Sequence, residues 1–410
     1  MKYFYSLACA ITFLTANDIT LLELAYKNAL KPMPSDLTSL ASTLGIKQTE
    51  LSKEKIALGK KLFFEKELSL GQNISCATCH SFDKGGADAR ATAIGHKNQE
   101  NPSHLNTPTV LNTAFSKRLF WDGHAQTLQD QAKGPLQAPF EMAITPQLAQ
   151  GRIAKVPAYR QMFFQAFGTT EVTFEKIVDA IVAYEKTLIT RGRYDDFLLG
   201  YFDALSKEEK EGLELFITKG CVGCHNGVGL GGKVMRKFPL TYHSVWSMEK
   251  PALILELQKK YDRFLEDKEQ KQTLQEYLGA KDFALLQEGF FAQVEPSKVE
   301  SIMSTIACTY CHEHNSDAIK QNLLASTAFP FENKGGFLGA QNNTKYFRVP
   351  LLRNVVRTKP YFHNGNIERL EEAIKIMGIH QSRVRLDDAQ IQKIVAFLKA
   401  ADGEMVSFEK

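Results

Sequence analysis

Apolar positions along this chain recur mostly at helical spacing. Between Phe174 and Leu188, the residues Phe174, Ile177, Val178, Ile181 and Tyr184 fall on one face of a 3.6-residue repeat, which predicts a helix buried along one side. Ile56 to Phe64 reads the same way, and so does Asp387 to Ala401 near the end. A further helical segment is expected around Leu21 to Leu30, followed by a link stiffened by Pro32 and Pro34. Ser206-Lys-Glu-Glu209 is a capping box, in which a hydroxyl and a carboxylate three residues apart satisfy amides at the start of a helix. The helix it opens runs straight into Cys221. Leu253 to Phe291 is charged and helix-forming, dominated by Glu, Lys, Gln and Leu. Pro296 and a second capping box, Ser297-Lys-Val-Glu300, then open a short helix that ends at Cys308. Strand-like alternation is sparse, so the expected class is mainly α.

Composition narrows this picture only a little. At 410 residues the chain is long enough for two or three domains with cores of their own. Hydrophobic residues make up 44% and charged residues 23%, which excludes intrinsic disorder. The formal net charge of +4 is spread without a basic run, so nothing argues for nucleic acid. The N-terminus says more. Lys2 precedes an apolar stretch from Tyr3 to Leu14, followed by Thr15, Ala16 and Asn17. A membrane span needs about 20 apolar residues, so residues 1–16 read as a secretory signal and the mature chain is expected in the periplasm. Leu14 is larger than the residue such cleavage prefers two positions before Ala16, which leaves an uncleaved anchor as the alternative. Cys9 would depart with the signal.

The cysteines carry the chemistry. Of seven, the six beyond Cys9 fall into three Cys-x-x-Cys-His motifs: Cys76, Cys79 and His80; Cys221, Cys224 and His225; Cys308, Cys311 and His312. That spacing lets two thiols add across the vinyl groups of one porphyrin while the next histidine reaches the iron. Disulfides would give no reason for a histidine after every second cysteine. Zinc would want two such pairs on one metal, and three pairs do not divide evenly. Covalent haem c is therefore expected at each motif, with His80, His225 and His312 as proximal ligands. The expected architecture is two cytochrome c-like haem domains, residues 17–190 and 191–410. A helical module over 243–325, inserted in the second, carries the third motif.

The segments LGKKLFFEKELSLGQNISCATCH, NTPTVLN, FWDGHAQTLQDQAKGP, APFEM, GCVGCHNGVGLGG, FPFENKGGFLG, FRVPLLRNV and PYFHNGNIERLEEAIKIM resemble, in this order, the bacterial di-haem cytochrome c peroxidases. The resemblance covers nearly all of residues 50 to 400 outside the insert, and MauG-type enzymes share the scaffold. It implies that the N-terminal haem is the low-potential, peroxidatic centre. Its sixth ligand would be His96 in AIGH, which must leave before peroxide binds, because an iron with two strong axial ligands has no open position. Glu141 in APFEM matches the catalytic glutamate and Gln131 a pocket glutamine. Met377 would pair with His225 on the second haem, where a thioether raises the potential and suits electron entry. Trp121 of FWDG would stand between the haems. His124 occupies a position where arginine is usual. A calcium ion at the domain interface would be held by Asn106 and by backbone carbonyls near RVP, and dimers are usual.

The implied function is reduction of hydrogen peroxide to water with electrons from a small redox protein such as a cytochrome c. The alternatives are a MauG-like enzyme that oxidises a partner protein and a non-catalytic multihaem carrier. Met377, His96 and Glu141 favour the peroxidase. The third motif is an addition to the family's two haems, and His243, Met248 and Met303 are candidates for its sixth ligand.

Overall fold

A computed structural model describes residues 16–238, 272, 275, 336–337, 345–382, 384 and 386–408. The first run of helices is α1 (Ala16–Lys27), α2 (Leu37–Leu44), α3 (Lys53–Phe63), α4 (Cys76–Cys79), α5 (Leu128–Gln137), α6 (Pro146–Lys155), α7 (Pro157–Phe167) and α8 (Phe174–Glu185). Then follow α9 (Arg193–Leu198), α10 (Lys207–Thr218), α11 (Leu370–Met377) and α12 (Asp388–Ala400). Their starts are written locally. The Ser52 and Thr173 hydroxyls cap α3 and α8. Ser206 and Glu209 form the expected capping box on α10, and Asp387 with Gln390 does the same for α12. The only strands among the described residues are short: β1 (Thr190–Arg191) pairs antiparallel with β4 (Glu404–Met405), and β2 (Met235–Phe238) with β3 (Lys345–Arg348). The mainly α class holds.

Two helical cores form. The first gathers Leu58, Leu62 and Phe63 of α3, Tyr159 and Phe163 of α7, and Ile177, Val178 and Ile181 of α8. The second gathers Tyr194 and Phe197 of α9, Leu213 and Phe216 of α10, and Ile394 and Phe397 of α12. Leu21 and Ala25 of α1 and the following Leu30 belong to this second core. Residues 16–30 therefore pack with the second unit and not with the one expected over 17–190. Tyr26 Oη donates to the Leu198 carbonyl at 2.6 Å, and Lys210 pairs with Asp18 at 2.8 Å, which fasten α1 there.

The two units repeat one design. A single constant offset relates Asn112 to Asn354 and Phe120 to Phe362, all four in the left-handed region. The same offset relates the bridge Leu119–Ala125 to the bridge Tyr361–Ile367, and the start of α5 to that of α11. It also relates two reciprocal backbone bonds between the units: Asn106 N donates to the His363 carbonyl at 2.7 Å, and Arg348 N to the Trp121 carbonyl at 2.9 Å. Asn112 and Asn354 meet at Thr190, whose amide donates to Asn112 Oδ1 at 2.9 Å and whose hydroxyl donates to Asn354 Oδ1. The halves are thus joined about a pseudo-dyad.

In each unit the helix leading to the cysteine pair crosses a later helix at backbone contact, through one glycine. A Cβ on Gly59 of α3 would lie 1.8 Å from the Ala180 carbonyl oxygen of α8; on Gly212 of α10 it would lie 1.8 Å from the Lys393 oxygen of α12. Gly59→Ala and Gly212→Ala should each cost about 1–3 kcal/mol or more, the scale of overpacking in a rigid core. Gly151→Ala in α6, where a Cβ meets nothing within 4 Å, should be neutral or slightly stabilising. Urea unfolding of the three variants checks this, and equal losses at all three positions would contradict it.

Candidate functional site

At the first motif, α4 presents Cys76 and Cys79 on one short turn, and the His80 amide closes it on the Cys76 carbonyl at 2.9 Å. His80 Nδ1 donates to the Gly86 carbonyl at 3.0 Å. A carbonyl only accepts, so Nδ1 carries the proton and Nε2 is left bare, the form a metal takes. Burial pushes the His80 imidazole below its ordinary value, which keeps it neutral. Burial raises both thiols, Cys79 to about 11. The second motif repeats the arrangement. His225 Nδ1 donates to the Leu230 carbonyl at 3.3 Å, and burial lowers the imidazole to about 4. Gly231 makes room for it: a Cβ there would stand 2.1 Å from the Pro350 oxygen and 3.4 Å from His225 Nδ1.

A cavity of about 620 Å³ opens at the first motif. Cys76, Cys79 and His80 line it, together with Asn106, Trp121, Gln131 and Glu141, so seven residues singled out in the sequence converge. The volume suits a cofactor, and paired thiols beside a bare imidazole nitrogen are the donor set that covalent haem needs. Residues and group fit. Glu141 follows α5 in a turn closed by its own amide on the Ala138 carbonyl, and burial pushes its carboxyl up to about 7. His96 adjoins the cavity without being among its lining residues. Its amide donates to the Glu141 carbonyl at 2.8 Å, and a Cβ on Gly95 would lie 2.2 Å from the Phe140 oxygen. The loop that carries His96 is therefore seated directly on the Glu141 turn.

Two wall residues were not found by sequence reasoning. Glu185 is 6% exposed, its Oε2 has no hydrogen-bond partner, and burial raises it to about 8. The signal was present, because Glu185 lies one turn beyond Ile181 on the apolar face of α8. Arg348 is 5% exposed and reaches the cavity from β3 of the second unit. Only the assembled fold brings it there.

Trp121 stands at the junction of the units. Its Nε1 donates to the Asn106 carbonyl at 2.8 Å, and its ring lies 6.4 Å from that of His363, inclined by 71°. Met377 ends α11, half-buried in a cluster with Trp121, Tyr361 and Phe362. In the repeat its counterpart is Pro135, whose side chain offers no donor atom. His124 is exposed, stacked on Phe120 at 4.3 Å and bonded to Asp122 at 2.6 Å. The Asn106 amide donates to the Arg90 carbonyl at 2.6 Å. No cluster of three His, Cys, Asp or Glu suited to a metal occurs among the described residues, so calcium there would rest on amide and backbone oxygens. The third motif, Cys308, Cys311 and His312, lies outside the described residues, as do His243, Met248, Met303 and the 243–325 insert apart from residues 272 and 275.

Comparison with known proteins agrees with this geometry. The family of di-haem cytochrome c peroxidases matches residues 53–203. The cytochrome c551 peroxidase of Nitrosomonas europaea is 33% identical over 353 residues, which cover 86% of this chain and 81% of that protein. The cytochrome c551 peroxidase of Pseudomonas aeruginosa is 32% identical over 384 residues, 92% and 86% of the two chains. Among solved structures, a MauG-like protein associated with microbial copper homeostasis shares the fold, with a TM-score of 0.57 at 21% identity over 87% of this chain and 91% of that one. With both haem-binding units matched at this level, the chain belongs to the di-haem cytochrome c peroxidase family.

Proposed function

We propose that this chain reduces hydrogen peroxide to two waters in the periplasm, consuming two protons and two electrons from a small reduced carrier such as a cytochrome c. The observation that carries the reading is Glu141. It is a half-buried carboxyl, pushed up to about 7, in the wall of the cavity that His80 also lines. Bound haem supplies the redox-active iron at each centre. The chain supplies the rest. His80 and His225 would each hold an iron, with Nδ1 bonded to a backbone carbonyl and Nε2 left bare for the metal. Cleavage of the peroxide bond requires one proton to leave one oxygen and arrive at the other. A carboxyl with both protonation states populated near pH 7 accepts it and returns it, so that water departs instead of hydroxide. Gln131 beside it offers an amide to orient the peroxide.

The repeat supports dividing the labour between the units. Met377 gives the second unit a thioether where the first has Pro135, which suits the second to electron entry and leaves the first open for peroxide. Trp121 lies in the junction that electrons cross. By family likeness His96 would close the first site in the resting protein and would have to withdraw before peroxide binds. Its amide bond to Glu141 ties that movement to the acid–base turn. Calcium held by Asn106 and a homodimer complete the proposal by family likeness. Cys308, Cys311 and His312 would hold a third haem, because the attachment machinery would meet that motif on an unfolded chain as it meets the other two.

Glu141→Gln should still bind peroxide but slow cleavage of the oxygen–oxygen bond about 10²–10⁴-fold, the usual weight of general acid–base catalysis. Stopped-flow oxidation at the wild-type rate would make Glu141 structural. His96→Gly should leave the first haem open as isolated, with a high-spin signal in the oxidised protein and activity without prior reduction. Two unchanged low-spin centres would remove His96 from the iron. For the third motif, intact mass of the exported protein should show three haems; a mass for two haems and two thiols would refute the third.

A further inference from the structure

Five positions apart, at the end of β3 and in the turn that follows it, lie two buried arginines with opposite circumstances. Arg353, 1% exposed, is fully neutralised: its guanidinium meets Asp195 through two bonds of 2.8 and 2.7 Å, and its Nε donates to the Val228 carbonyl. Arg348 has no such partner. Among the described residues no carboxylate lies within ion-pair distance of it, and its side chain makes one hydrogen bond, from Nε to the Phe120 carbonyl at 3.3 Å. Of the three carboxyls that line its cavity, Asp122 is bonded to His124 at 2.6 Å, and Glu141 and Glu185 are both pushed upward by burial with no cation drawing them down. A buried guanidinium without an anion is costly, and this one faces a cavity built for a cofactor. Of the described residues lining that cavity it is the one permanent cation. His124, the other basic group toward the rim, is exposed and already engaged by Asp122 and Phe120.

We propose that Arg348 holds a propionate carboxylate of the haem in the first cavity, and so sets that haem's reduction potential from the second unit. The inference rests on the haem reading above. A guanidinium fork matches a carboxylate in two parallel bonds, which a lysine's single ammonium does not. Arg348 is a positioning residue. Its amide donates to the Trp121 carbonyl and its Nε to that of Phe120, so the charged edge of the first haem is drawn toward the junction that electrons cross. Its counterpart in the repeat is Asn106, whose carbonyl accepts from the Trp121 indole; the pseudo-dyad therefore sets a cation on one side of the tryptophan and a neutral amide on the other. A fixed positive charge beside a haem favours the reduced form and keeps the propionate ionised through neutral pH.

Spectroelectrochemical titration of the purified holoprotein over a range of pH tests this. Arg348→Gln should lower the midpoint of the first haem. The ratio of reduced to oxidised first haem at fixed potential should fall about tenfold, which for one electron is about 59 mV. The same variant should gain a pH-dependent midpoint as the unpartnered propionate takes up a proton on reduction, while the second haem stays unmoved. Arg348→Lys, which keeps the charge, should restore most of the potential. A fully loaded Arg348→Gln protein with wild-type midpoint and wild-type pH profile overturns the assignment. Should that variant fail to assemble, resonance Raman decides on Arg348→Lys. Replacing a fork by a point charge must shift the propionate bending band of the first haem, and an unchanged band overturns the proposal. A wild-type chain lacking haem at Cys76 and Cys79 would overturn the haem reading as well, so the two failures are told apart by haem content.

Discussion

Neutralisation of the buried Arg353 holds this molecule's parts in register. Asp195, which meets it at zero exposure, also accepts from the amides of Met33 at 2.7 Å and Gly192 at 2.9 Å. One carboxylate thereby fixes the link after α1 and the junction between units, while the guanidinium fixes the loop after the second cysteine pair through Val228. Removing one member of such a pair strands the other in the core, at a cost of about 3–5 kcal/mol. Leu30 and Val228 enter the second unit beside this cluster, which is why the N-terminal helix packs there although the chain visits the first unit next.

A repeated scaffold with a few unequal positions explains how two similar haem sites come to differ. The units share a glycine helix crossing, a left-handed asparagine turn and a bridged loop before α5 or α11. These features precede or support a cysteine pair and a histidine in both units, and in the first they set them against a cavity. Difference enters where the register carries Pro135 opposite Met377, Gln131 opposite Ala373, and Trp121 opposite His363. The first unit lacks the thioether and gains the Gln131 amide, and it has an indole where the second has an imidazole. Because the pseudo-dyad joins them through reciprocal bonds from Asn106 and Arg348, each unit also contributes to its neighbour's surroundings.

Much of this was legible in the sequence because it is local. The capping box at Ser206, the apolar stripe of α8 and the spacing of each cysteine pair depend on residues within one or two turns. Glu141 was legible only through family likeness. Its own neighbours read as a solvated turn, and its burial comes from the loop carrying Gly95 and His96, folded onto it from some 45 residues earlier. Glu185 could have been found, since a carboxylate on the apolar face of a helix asks for a reason. Arg348 could not, because an arginine in a short strand looks exposed until the second unit is seen to reach into the first. The packing of α1 was missed for the same cause: an amphipathic helix shows that it has a partner and not which one.

The cofactor belongs to the energetics of the fold as much as to its chemistry. Burial drives Glu141 and Glu185 toward their neutral forms, since a charge in that wall would otherwise lack water and partner alike. Arg348 cannot follow, because a guanidinium does not shed its proton near neutral pH. Among the described residues that line the first cavity, then, Glu141 and Glu185 can answer burial by protonation and Arg348 cannot. A ring with an apolar body and carboxylates on one edge answers both demands, covering the apolar wall and pairing the cation. On the proposal for Arg348, such a ring would take its orientation from electrostatics at the junction where the Arg348 amide meets the Trp121 carbonyl.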